Sequence, residues 1–149
     1  MFLAREDLLE LLRAGAYEVI APGPVITEIH GHGPDDPTVK AIGRIDWLTI
    51  TPSPPIPEAV AAWDLGPGES AVLALALAEP GVRVVLDDLE ARRCARSLAV
   101  PLIGTLGLVI LARQDGRIAA ARPVIERLRD SGMYLSDRVI NEALARVGE

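Results

Sequence analysis

The chain has 149 residues, half of them hydrophobic but only 3% aromatic, so a domain-sized core has to be built from Leu, Val, Ile and Ala. A formal charge of −6 argues against a protein held on nucleic acid by bulk electrostatics, though not against an enzyme that meets phosphates through a cation. The single cysteine, Cys94, excludes an internal disulfide framework and makes a reducing cytoplasm the natural setting.

Acids at Glu6 and Asp7 come too early for a secretory signal. The longest apolar stretch, Leu98 to Ala112, is broken by Pro101, Gly104 and Gly107 and does not read as a membrane span. In chain order, Leu3 to Arg13 reads as a helix that Gly15 ends, and Tyr17 to Ala21 as a short strand. Pro24 suits the first turn of a helix carrying Val25, Ile26 and Ile29 inward, with Glu28 off that strip, and stopping at Gly31. His30 to Pro37 is a loop, Thr38 to Ile42 a short helix and Ile45 to Ile50 an edge strand. Four prolines between Thr51 and Pro57 make a rigid extended connection. Gly66-Pro67-Gly68-Glu69-Ser70 opens a helix, Ala71 to Glu79, that is apolar nearly all round and therefore buried. A strand at Val82 to Leu86, a helix at Leu89 to Leu98, a strand at Val100 to Ile103 and a helix from Gly104 to Arg113 follow. Pro123 to Arg129 and Ser136 to Val147 close the chain as helices, with Ser136 as cap. Strands alternating with helices predict an α/β, three-layer α/β/α architecture around a mostly parallel sheet, in one domain over residues 1–149.

Chemistry concentrates where the Val82–Leu86 strand runs into Asp87 and Asp88. Ligands of open α/β sheets sit outside the carboxyl ends of strands, and paired acids there suit a hard cation. Either Asp is equally able to cap the next helix, and Asp87 with Glu90 has capping-box spacing. Glu69 carries favourable charge in a first helical turn. Arg92 is placed to touch phosphate or to pair with Glu90, Thr105 reads as a helix cap, and Cys94 as a buried helical thiol. Glu28, His30 and His32 have only weak spacing for zinc, because Gly31 and Gly33 interrupt the helix. No phosphate loop or dinucleotide fingerprint is present.

The segments Pro24-Val25-Ile26-Thr27-Glu28-Ile29, Leu65-Gly66-Pro67-Gly68-Glu69-Ser70, Leu86-Asp87-Asp88-Leu89-Glu90-Ala91-Arg92 and Pro101-Leu102-Ile103-Gly104-Thr105-Leu106-Gly107 follow one another in the order seen in the PIN-domain-like superfamily. With the Gly132-Met133-Tyr134-Leu135-Ser136 turn, the chain resembles a prokaryotic branch of that superfamily over nearly its whole length. The resemblance implies a Mg²⁺- or Mn²⁺-dependent ribonuclease of toxin-like type, with RNA as substrate, an antitoxin protein as partner, a homodimer and no membrane association. It implies Glu28, Glu69, Asp87 and Asp88 as catalytic metal ligands, Asp87 being the preferred innermost one, and Arg92 as the phosphate contact. The family's first strand, which carries another Asp, has no counterpart here. The expectation is either a gene start placed too late or a degenerate copy, acting as a non-catalytic RNA- or protein-binding module. A sheet without that strand leaves backbone groups unpaired, to be covered by a partner chain or a rearranged order.

Overall fold

Apolar runs bounded by Gly and Pro become strands, and the amphipathic or apolar segments between them become helices, in a computed structural model that describes residues 2–149. Strand β1, Val19–Pro22, pairs in parallel with β2, Leu48–Thr51, in the register Val19 opposite Leu48 through Pro22 opposite Thr51. Strand β3, Val84–Val85, pairs in parallel with β4, Leu102–Ile103. The sheet is thus PIN-like α/β in kind but divided into two parallel halves, β1–β2 and β3–β4. The order is not rearranged to close the division.

Parallel strands need crossover helices, and these carry the burial. Helix α2 (Gly23–Gly31) packs on β1 and β2; α1 (Phe2–Arg5) packs against α3 (Pro37–Ile42), and α4 (Glu58–Ala61) against the long helix that follows it, on the side of β3. Helix α5, Pro67–Ala78, runs under both halves, touching β1 and β3, and buries Leu73, Ala74 and Leu75 as its apolar composition predicts. Helices α6 (Leu89–Ser97), α7 (Thr105–Gln114), α8 (Arg122–Asp130) and α9 (Asp137–Ala145) complete the chain.

Buried side chains fall into two separate apolar clusters. One joins Leu3, Leu9 and Leu11 to α7, α8 and α9, with Ile125, Leu128 and Leu144 fully enclosed. The other joins Val60, Leu73, Val84, Leu86 and Cys94. Between the half-sheets lies an apolar slot of about 770 Å³, lined by all of β1 and by Arg83, Val84 and Val85.

Two expectations need correction. The Leu3–Arg13 helix is broken: α1 stops at Arg5, Asp7 takes a left-handed φ of +57°, and Leu9–Arg13 is a 3-10 turn. The break lets Leu3, Leu9 and Leu11 all turn inward, at 2%, 6% and 4% exposure, although no single helical stripe would bury all three. Helix α4 was not expected, because Pro57 reads as part of the extended connection; it stands just before the helix start, and Val60 is fully buried.

Candidate functional site

Three helices begin at the carboxyl edge of the half-sheets or beside it, and each exposes amide donors that need acceptors. Candidate acids supply them. Asp88 is the N-cap of α6, its Oδ1 accepting from the Ala91 amide at 2.9 Å. Asp87 reaches across to α7, accepting from the Thr105 amide at 2.8 Å and the Thr105 hydroxyl at 2.6 Å. Glu28, on α2, reaches the first turn of α5, where its Oε1 accepts from the Gly68 amide at 2.9 Å. Glu69, in that same turn, folds back onto the Gly66 amide at 3.3 Å.

Glycines make this closeness possible. A side chain on Gly68 would collide with the Glu28 carboxylate. A side chain on Gly66 would begin 3.3 Å from Glu69 Oε2 and 3.6 Å from Glu28 Oε1, so both carboxylates crowd one point. A side chain on Gly104 would begin 2.5 Å from Arg92 Nη1 and 3.1 Å from Asp87 Oδ1.

Crowding leaves an electrostatic mark on Glu69. Partial burial, and then the charge of Asp88, hold its carboxyl above the usual carboxylate value; the Gly66 amide opposes this and Glu28 adds to it. Arg92 Nη1 donates to the Leu86 carbonyl at 2.8 Å, bracing the end of β3 against the helix that follows.

The structure therefore brings Glu28 beside Glu69, Glu69 within electrostatic reach of Asp88, and Arg92 beside Asp87 near Gly104. It does not gather them into one coordination sphere: among the described residues no three His, Cys, Asp or Glu side chains stand close enough together to hold a metal ion. His30 and His32 therefore form no zinc site with Glu28 in this arrangement. Of the two aspartates able to cap α6, Asp88 does so, because Asp87 is occupied by Thr105. Two finer expectations are corrected. Thr105 is not a cap but the donor that anchors Asp87; Gly104 stands at the cap position. Glu90 pairs with Arg93 at 2.5 Å, not with Arg92. Sequence reasoning missed the Asp87–Thr105 link and the roles of Gly66, Gly68 and Gly104. The glycines at the cap positions of α5 and α7, Gly66 and Gly104, were the available signal.

A parallel α/β fold with acids at its carboxyl edge defines the class. The family model that matches the chain is described as a PIN domain and spans residues 1–149. The chain belongs to the PIN-domain family. No curated protein and no solved structure matches it.

Proposed function

We propose that the acidic edge is the site of a divalent-metal-dependent ribonuclease that hydrolyses phosphodiester bonds in single-stranded or structured RNA. The observation that carries this is geometric: Glu28 and Glu69, 41 positions apart, are packed against the same glycine turn, with Asp87 and Asp88 at the neighbouring strand end. Carboxylate oxygens are the donors that Mg²⁺ and Mn²⁺ take, and Glu28, Glu69, Asp87 and Asp88 would hold the ion. A bound ion there would supply an acidified water and neutralise phosphate oxygens. Arg92, half-buried and braced on Leu86, keeps further guanidinium donors for a phosphate. The toxin-like form of this reading adds a cytoplasmic setting, a homodimer and an antitoxin protein as partner. One domain over residues 1–149 is part of the same reading.

One observation favours a second reading. Glu28, Asp87 and Asp88 already serve helix N-termini, and no three donors stand together among the described residues. That arrangement suits a non-catalytic RNA- or protein-binding module.

The test is cleavage of a mixed single-stranded RNA with Mn²⁺ and with EDTA, by the natural chain and by Glu69→Gln. The nuclease reading expects cleavage that EDTA abolishes and that the variant lowers by about tenfold or more. RNA bound but uncut by a folded chain would replace it with the binding module.

A further inference from the structure

We propose that the outward face of α6 is a track for single-stranded RNA leading away from the acidic edge, with successive phosphates on Arg92 and Arg96 and a base against Leu89. The proposal rests on the reading of that edge as a site for RNA and deepens it, adding the path of the strand beyond the acids.

Helix α6 starts at the acids, since Asp88 caps it. Its inner side is Ala91, Cys94 and Ala95, all fully buried. At about 3.6 residues per turn, Leu89, Arg92, Arg93 and Arg96 fall together away from that side. Leu89 is 55% exposed, Arg93 and Arg96 are exposed, and Arg92 is half-buried.

Pairing separates these cations. Among the described residues, eight of the fifteen Lys and Arg side chains stand in ion pairs, Arg93 with Glu90 being one. Of the seven that do not, only Arg92 and Arg96 share a helix. Arg92 spends Nη1 on the Leu86 carbonyl, which aims its guanidinium at the strand end beside Gly104 and leaves further donors free. Arg96 has no acid partner among the described residues, in a chain whose net charge is −6. Two unneutralised guanidinium groups on an acidic protein are placed for a ligand that brings its own negative charge, and their planar forks suit phosphate oxygens.

Spacing selects the ligand. One helical turn, about 6 Å along the axis, separates Arg92 from Arg96, which matches the step between neighbouring phosphates of an extended strand. Leu89, one turn ahead of Arg92 and next to Asp88, offers apolar surface to the base nearest the acids. A single row of cations fits one strand rather than two.

The test is anisotropy of a dye-labelled, mixed-sequence single-stranded RNA of about twelve nucleotides, titrated with the full chain in EDTA at several salt concentrations. Saturable binding that salt weakens is expected of the natural chain. Arg96→Gln should weaken it about fivefold and make the dependence of log affinity on log salt shallower by about 0.7, the loss of one phosphate contact. Leu89→Ser should weaken binding and leave that slope unchanged. Arg44→Gln removes an exposed, unpaired cation ahead of β2 and should change neither. Natural affinity and slope in a folded Arg96→Gln chain would overturn the track, as would an equal effect of Arg44→Gln, which would reduce it to bulk charge. No RNA binding at low salt would overturn it too. Arg96-dependent binding of a short polyglutamate peptide in place of RNA would overturn it by assigning the face to an acidic protein partner. Arg96-dependent RNA binding by a chain that cuts nothing with Mn²⁺ would support the track and remove the nuclease, whereas Mn²⁺-dependent cleavage with no effect of Arg96→Gln on binding would do the reverse.

Discussion

Asp87 and Asp88 are neighbours in sequence with different partners. Asp88 closes the helix that follows it, while Asp87 ties the end of β3 to the start of α7, 18 positions away, through Thr105. Thr105 is 3% exposed, so Thr105→Val keeps its shape and deletes only the hydroxyl bond. A loss of about 1 kcal/mol in urea unfolding is expected, with Asp87 free to re-orient toward water. Glu69 makes a different prediction. Its carboxyl is held above the ordinary value of 4.5, so between that value and the raised one the folded state binds more protons than the unfolded state. Stability from this group is present at low pH and lost as pH rises through the raised value. Glu69→Gln should therefore melt higher than the natural chain at pH 7, with the gap closing below about pH 4. A variant that melts lower at pH 7 would show that the Gly66 contact outweighs the crowding.

At the scale of elements, helix ends decide what forms. Ala99 follows α6 with a left-handed φ of +55°, a conformation that glycine adopts without the Cβ penalty. Ala99→Gly is expected to raise stability by about 0.5 kcal/mol, the relief of strain exceeding the extra freedom given to the unfolded chain. Helix α8 has no cap of its own. The Glu149 side chain provides one from the far end of the sequence, accepting from the Ala121 amide at 2.8 Å, the Arg122 amide at 3.0 Å and Arg113 Nε at 3.2 Å. Those amide bonds hold its carboxyl below the usual value. Its stabilisation is present above about pH 4.5 and is lost as pH falls through the lowered value, so Glu149→Gln should flatten the acid side of a melting-temperature profile. Such a long-range cap leaves no mark in local sequence. By contrast, α2, α6 and α9 were legible because punctuation and apolar spacing agree: Gly31 closes α2, and Ser136 caps α9, accepting from the Val139 amide at 3.4 Å. The strands were legible in place but not in length. The run Val82 to Leu86 is uniformly apolar, yet only Val84–Val85 forms ladder, because ladder length depends on neighbours that a local pattern does not contain.

At the scale of the molecule, family membership and the α/β plan were readable from the ordered segments around Glu28, Glu69, Asp87 and Thr105, and the match over residues 1–149 agrees. A cap for α6 from one of Asp87 and Asp88 was readable; how Glu28 and Asp87 are held was not, since it depends on where separate helix starts meet. The two parallel pairs, β1–β2 and β3–β4, stand on either side of the slot, and the buried side chains divide into two clusters accordingly. What the acidic edge does rests on whether those carboxylates bind a divalent ion. Titration calorimetry with Mn²⁺, on the natural chain and on a Glu28→Gln, Glu69→Gln double variant of unchanged circular dichroism, measures that most directly. The proposed metal site predicts saturable binding to the natural chain, with heat that disappears in the double variant. Equal Mn²⁺ binding by both, or none by either, would contradict it and leave these acids as caps of the helices they close.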